Sequence, residues 1–430
     1  METLGCKVNE YESAYYTAEL EKAGYMAASP REAADLILIN TCTVTNTAAA
    51  KSRRKISRLK RENPNAFVVV VGCYAQTLEE SEREKLGVDL IIGASHKKDL
   101  LQEIERVQKQ GKSLDAVENA RDLTEFESMP IGFFEGQHRA FLKIQDGCNQ
   151  YCSYCQIPLA RGPERSQIPE EVVKSAQMLA ENGHQEIVLT GIHTGRYHFR
   201  STNLAQLIDM LLKSTPQNIC YRLSSIEITE VSDELLDLMA ENPRLLPHLH
   251  IPIQAGDNRT LARMKRPYTV EQFQQRLAEI RRRIPQISIS TDVITGFVGE
   301  SDEEFETTKK TLQDCRFSFL HVFPYSRRKG TAADAMSGFV SGTIAKERTS
   351  ELLQLSRDLR KKDMARFDQS AVLIERPDPK DPNLYLGYSA QYHPAAVYSE
   401  TPLSGRINVR MTAVENERYL AAAEVENETL

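Results

Sequence analysis

No stretch of this chain stays apolar for long. The longest runs, LILI at 36–39 and FVVVV at 67–71, have the length of strands, whereas a membrane helix takes about 20 residues. The opening METLGCKVNE lacks a basic segment followed by an apolar core, so it does not read as a secretory signal. These absences point to a cytoplasmic protein with no membrane segment, where thiols stay reduced and serve metals or catalysis more often than disulfides. A large charge of one sign is lacking too: 54 basic against 60 acidic side chains leave −6. Any affinity for nucleic acid must then come from local basic patches. There is no internal repeat and no low-complexity tract. At 430 residues, with roughly 150 per domain as a soft prior, two to four domains are expected, and a monomer is the default.

Three stretches differ in pattern. Residues 1–125 alternate short apolar strands with amphipathic helices: LILINTC then a basic run, FVVVVGC then AQTLEESEREKLG, VDLIIGA then a helix near 97–110. Such alternation predicts a doubly wound parallel sheet. After an irregular linker around 122–137, residues 136–365 resume the alternation with a longer period. The strands AFLKIQ, EIVLTG, YRLSSIE, HLHIPI, ISISTDVITG and FSFLHVF predict a partial (βα)6 barrel, whose chemistry belongs at the carboxyl ends of its strands. Pro169 with Glu170 and Glu171 suits a first helical turn, and Thr269/Gln272 and Ser301/Glu304 have capping-box spacing. A charged helix near 344–368 leads into residues 366–430, whose short strands predict a small β-barrel.

Cysteines carry the chemistry. Cys148-x3-Cys152-x2-Cys155 follows the first barrel strand. Structural zinc wants four ligands, usually as two close pairs; this trio has no second pair, and neither His138 nor His193 stands at a ligand spacing. Three thiolates on a [4Fe–4S] cluster explain it better, because the fourth iron keeps an open position. An amine and a carboxylate, as in the amino-acid end of S-adenosylmethionine, would chelate that iron. With Tyr154 before the last cysteine, the motif resembles the radical S-adenosylmethionine signature. Cys6, Cys42 and Cys73 each end an apolar run; parallel strands would bring all three to one sheet edge, where such sheets place ligands. A second cluster is expected there, while Cys220 and Cys315 read as core residues.

Other candidates are polar. Gly191, Ser225, Glu227, Gln254 and Asp292 fall at barrel strand ends or their loops, where a nucleoside could bind. Lys51, Arg54, Lys55 and Arg58 share one helical face with few acids nearby, which suits phosphate. Tyr385, Tyr388, Tyr392 and Tyr398 beside Arg406 and Arg410 suit single-stranded RNA, though tyrosine is also ordinary strand filler.

Over nearly its whole length the chain resembles the methylthiotransferase family of radical S-adenosylmethionine enzymes. The segments TLGCKVNEYES, NTCTVT, GCYAQ, GCNQYCSYCQIPLARGPERS, HLHIPIQAGDNRTLARMKRPYT and VFPYSRRKGT carry the resemblance. It implies an auxiliary-cluster domain, a radical barrel and a C-terminal barrel of the TRAM type. GCKVNEYES and GIHTGRY are similar to the branch that modifies N6-threonylcarbamoyladenosine beside the tRNA anticodon, at position 37. Alternatives are the same chemistry on isopentenyladenosine in tRNA or on a ribosomal-protein aspartate, and, more distantly, a non-catalytic, zinc-bearing RNA-binding protein.

By the resemblance, Cys148, Cys152 and Cys155 hold the radical cluster and Cys6, Cys42 and Cys73 an auxiliary [4Fe–4S] cluster. Gly191, Ser225, Glu227, Gln254 and Asp292 would contact S-adenosylmethionine. One S-adenosylmethionine methylates a cluster-borne sulfur; a second yields the radical that takes hydrogen from C2 of the adenine. The implied partners are the tRNA anticodon stem-loop, an electron donor of flavodoxin or ferredoxin type, and a sulfur donor. Three departures stand out: only five residues precede Cys6, which suggests a truncated start; TGFVGE replaces TGFPGE; and PIQAG replaces PLQSG.

Overall fold

The computed structural model describes residues 1–29 and 32–423. Its first unit is a five-stranded parallel sheet of β1 (Glu2–Thr3), β2 (Leu36–Thr41), β3 (Phe67–Gly72), β4 (Leu90–Ile92) and β5 (Leu114–Ala116), paired in chain order. Its main helices are α1 (Lys7–Lys22), α2 (Asn46–Glu62) and α3 (Leu100–Gln110). A period of two sends Leu38, Val69 and Val71 to one face with Tyr11 of α1 and Ile104 of α3. It sends Ile37, Ile39 and Val70 to the other, with Ile56 of α2. Helices cover both faces, as a doubly wound sheet requires, but the strand order never reverses. The cysteine-bearing strand ends meet because β1, β2 and β3 are neighbours, not because of a switch point. AQTLEESEREKLG divides into two short helices, Cys73–Thr77 and Glu80–Glu84. Leu78 is extended there, and a Glu79/Glu82 capping box starts the second helix.

All six expected barrel strands form: β6 (Arg139–Lys143), β7 (Glu186–Thr190), β8 (Cys220–Leu223), β9 (His248–His250), β10 (Ser288–Thr295) and β11 (Phe319–Pro324). They pair in parallel as β6-β7-β8 and β9-β10-β11, with isolated bridges Tyr221–Leu245 and Ser225–His250 joining the halves. Among the described residues β6 and β11 do not pair, so the barrel is open on that side, and α1 packs along β6. Pro169 opens its helix with Glu170 and Glu171 in the first turn. Both expected capping boxes, Thr269/Gln272 and Ser301/Glu304, are made.

Helix α4 (Gly342–Met364) leads into a closed barrel of β12 (Gln369–Pro377), β13 (Leu384–Ser389), β14 (Pro394–Tyr398), β15 (Gly405–Glu415) and β16 (Arg418–Ala423). The end of the segment expected to reach 430 lies outside the described residues. This barrel docks through charge: Arg406 reaches Glu186 at 3.0 Å, and His393 reaches Asp363 at 2.8 Å. Cys220 and Cys315 are buried, as expected of core residues. No described helix is long and apolar enough to cross a membrane.

Candidate active site

Chain reversal at the strand ends creates the site. Cys6 follows β1, Cys42 follows β2 and Cys73 follows β3, and Cys42 and Cys73 are buried. Cys73 perturbs both Cys6 and Cys42 electrostatically, and Cys6 perturbs Cys42, so the three share one locale. Gly72, at φ +98°, keeps the Cys73 approach clear: a Cβ there would lie 2.6 Å from Asn40 Oδ1 and 2.7 Å from the Thr41 carbonyl. Across the interface, Cys148, Cys152 and Cys155 lie in the loop between β6 and the short helix Ile157–Arg161. Gly147, at φ +75°, admits that loop; its Cβ would fall 1.9 Å from the Pro163 carbonyl.

The donor sets fit two iron–sulfur clusters. All six cysteines are free, and burial pushes the Cys42 and Cys155 thiols up to about 12. Such groups stay protonated until a metal displaces the proton. A single tetrahedral ion draws its sulfurs to roughly 4 Å apart. Among the described residues, neither trio closes within 4.8 Å as a shared ion would require. Thiolates bound to separate irons of one cluster need no such closure.

Arg161, on the helix after the 148–155 loop, reaches the other trio. This guanidinium is 1% exposed and donates from Nε to Cys73 Sγ at 3.2 Å. Its Nη1 reaches Glu12 at 2.9 Å and Asp146 at 3.2 Å, and its Nη2 reaches Asn9 at 2.9 Å. Glu12 also takes Lys97 at 2.9 Å and Lys143 at 3.0 Å. Burial alone would raise the Glu12 and Asp146 carboxyls, but the surrounding cations hold both far below the usual carboxylate range. Three elements thus meet on one buried ionic knot: α1, the end of β6 and the radical loop. A second bridge is Arg328, after β11, which engages Asn46 at 2.6 Å, Gln156 at 2.7 Å, and Thr43. Sequence reasoning missed both arginines. Their signal was their place inside ARGPERS and YSRRKGT.

Around the radical loop, the discounted His193 proves close. Its Nδ1 lies 3.3 Å from Cys148 Sγ, and Nε2 lies 2.8 Å from Glu230 Oε1, off the line of a good hydrogen bond. Burial opposes its charged form, yet Cys148 and Glu230 outweigh that and raise it to about 10. Spacing was no guide, because the β7 end carries His193 to the loop through tertiary structure. Arg266 donates to Cys152 Sγ at 3.2 Å and pairs with Glu227. Of the nucleoside candidates, Glu227 is therefore one step from the cluster thiols. Gly191 sits against Gln145, Ser225 bridges to His250, and Gln254, at φ +65°, bridges to Val293. Asp292 lies inside the barrel, 3.2 Å from His250.

Pleat alternation gives the barrel lumen its character. Leu249, Ile289 and Leu320 go outward to the core, while His250, Ser290 and His321 go inward. Burial first, then the nearby His250 ring and the Arg360 and Lys7 charges, outweigh Asp292 and hold His321 down to about 4. Lys7 itself, at the start of α1, is pulled down to about 8 by burial and by Arg222 and Arg139.

The expected RNA contacts divide. Lys51 and Arg54 are exposed, but Lys55 pairs with Glu2 at 2.6 Å and Arg58 with Glu62 at 2.8 Å. The acids that seemed lacking come from β1 and from the end of α2 itself. In the terminal barrel, Tyr388 and Tyr392 stack 5.1 Å apart beneath Arg139, turned toward the radical domain rather than solvent. Arg406 is spent on Glu186, whereas Tyr398 is exposed.

Comparison with known proteins gives a consistent picture. Residues 1–93 match the family described as Uncharacterized protein family UPF0004, and residues 142–312 match the Radical SAM superfamily. The chain is 38% identical over 411 residues to Threonylcarbamoyladenosine tRNA methylthiotransferase MtaB of Bacillus subtilis (strain 168), covering 94% of this chain and 91% of that one. It is 32% identical to tRNA-2-methylthio-N(6)-dimethylallyladenosine synthase of Dictyoglomus thermophilum, covering 94% and 93%. The fold is similar to that of the radical S-adenosylmethionine methyltransferase TsrM from Kitasatospora setae, with a TM-score of 0.57 at 14% identity over 75% of this chain and 73% of that one.

Proposed function

The chain belongs to the radical S-adenosylmethionine methylthiotransferase family, and from that premise we propose that it converts N6-threonylcarbamoyladenosine beside the tRNA anticodon to its 2-methylthio derivative. One observation carries the reading: Arg161, on the short helix that follows the 148–155 loop, donates to Cys73 Sγ of the other trio and pairs with Asp146 just before that loop. When bound, the clusters would supply reductive cleavage of S-adenosylmethionine at Cys148, Cys152 and Cys155, and sulfur chemistry at Cys6, Cys42 and Cys73.

The chain's own residues hold geometry and exclude water. Arg161 and Arg328 clamp the auxiliary edge of the sheet to the mouth of the barrel, which keeps reacting groups in register. Arg266 links Cys152 to Glu227, so a nucleoside bound by Glu227 would be oriented relative to the radical loop. The C2–H of adenine is not acidic enough for a side-chain base, so these residues position rather than deprotonate. The target base would leave its stack, at modest cost in a single-stranded loop. Lys51 and Arg54 are the candidates for phosphate contact. An external one-electron donor of flavodoxin or ferredoxin type and a sulfur donor complete the requirements.

A second reading, the same chemistry on dimethylallyladenosine, is favoured only by relatives such as that of Dictyoglomus thermophilum. The experiment is anaerobic reconstitution, a count of iron, and assay of each modified stem-loop RNA. About eight irons per chain and methylthiolation of the threonylcarbamoyl RNA are expected. Cys148→Ala should abolish deoxyadenosine formation, whereas Cys42→Ala should retain it and lose methylthio transfer. A Cys42 variant that modifies RNA at the parent rate would remove the auxiliary cluster from the reading.

A further inference from the structure

Lys7 is a cation without a counter-ion. Among the described residues it has no carboxylate within ion-pair distance, and its one close partner is the Tyr392 ring, 5.5 Å from the ammonium. Its surroundings are already basic. Arg222 lies 4.6 Å and Arg139 5.2 Å from the same ring. Of the carboxylates nearby, Glu186 is taken by Arg139, Arg222 and Arg406 and Asp292 by His250, while Glu10, one turn on along α1, is exposed to solvent and outside ion-pair distance of Lys7. Gathering like charges around an unpaired ammonium costs free energy. Such an arrangement persists where an anion is expected to arrive.

The position says which anion. Lys7 directly follows Cys6 and opens α1, on the side where β6 and β11 leave the barrel open. It therefore stands between the auxiliary thiols and the polar lumen. His250, Asp292 and His321 could themselves suggest a divalent cation, since their ligand atoms lie within 4.8 Å of one another. The Arg360 and Lys7 charges, both felt at His321, work against a cation there.

We infer that Lys7 is a specificity-determining residue: its ammonium pairs with the carboxylate of the substituent on N6 of the target adenosine. The inference rests on the substrate reading above and deepens it. Threonylcarbamoyl carries a carboxylate, whereas dimethylallyl is uncharged. A half-buried ammonium that gains a carboxylate recovers part of what it lost in leaving water; the dimethylallyl group would leave it unpaired.

The test compares two synthetic anticodon stem-loops on the reconstituted holoenzyme. One carries threonylcarbamoyladenosine; in the other the threonyl carboxylate is a primary amide. Binding is read by fluorescence anisotropy and methylthiolation by mass spectrometry. The parent enzyme should bind the carboxylate RNA on the order of 10- to 100-fold more tightly. Lys7→Met should shrink that ratio to within about threefold, and Lys7→Arg should keep most of it. Equal binding of both RNAs by the parent enzyme overturns the inference. So does a Lys7→Met variant that weakens both RNAs alike, the mark of a phosphate or structural contact. Should Lys7→Met lose iron, the parent comparison decides alone. Should the parent methylthiolate the threonylcarbamoyl RNA yet bind both alike, only the Lys7 role fails. Should it modify only dimethylallyladenosine RNA, the substrate reading fails with it.

Discussion

Replacing Arg161 by Met should shift the auxiliary cluster to a more negative reduction potential. The guanidinium is fully buried, and its Nε lies 3.2 Å from Cys73 Sγ. Two carboxylates, Glu12 and Asp146, share Arg161 with Lys97 and Lys143, and Arg165 lies 3.9 Å from Asp146, so the knot carries surplus positive charge beside the thiols. Unit charges about 4 Å apart interact by about 4 kcal/mol at an effective dielectric constant of about 20. At about 59 mV per 1.4 kcal/mol for one electron, the ceiling is about 170 mV. An added electron spreads over the whole cluster, which brings the expected shift to on the order of 50–100 mV.

Methionine keeps the stem and removes the one positive charge of the knot that touches a thiol. The assay is an EPR-monitored redox titration in a Cys148/Cys152/Cys155→Ala background, where one cluster gives the signal. Arg161→Lys should fall between parent and Met, because it keeps the charge and loses the fork. A potential unchanged within about 20 mV, or one that rises, refutes electrostatic coupling between Arg161 and the cluster.

Three further outcomes are expected. Gly147→Ala places a methyl 1.9 Å from the Pro163 carbonyl at φ +75°; the radical loop must shift, and iron should drop toward about four per chain. Glu186 is buried, which alone would raise its carboxyl, but Arg222, Arg139 and Arg406 hold it far below its usual range. Its pairing therefore stabilises the docked terminal barrel above about pH 5 and is lost progressively as pH falls through the ordinary carboxylate range to the depressed native one. Thermal midpoints at several pH values should fall between about pH 5 and 3 less steeply in Glu186→Gln than in the parent. Finally, Lys51→Glu with Arg54→Glu should weaken stem-loop binding and flatten its salt dependence, while Arg58→Glu, already engaged by Glu62, should do so less.

Local pattern alone determined much of this protein. Period-two apolar runs placed the six barrel strands and the main strands of the first sheet, and capping boxes at Thr269 and Ser301 started their helices as expected. The cysteine spacing at 148–155 and the strand-end positions of Cys6, Cys42 and Cys73 marked the candidate metal ligands, because ligand type and strand direction are properties of short segments. What the sequence left open were relations between charges far apart along the chain. Arg161 and Glu12 are separated by 149 positions, Arg328 and Thr43 by 285, and Arg406 and Glu186 by 220. Nothing in their neighbours marks them as partners. The same holds for Lys55, whose acid arrives from β1, and for Tyr388 and Tyr392, which face the radical domain instead of RNA. Hydrophobic period is written residue by residue, but the partner of a buried charge is chosen only when the domains close on one another and strip its water away.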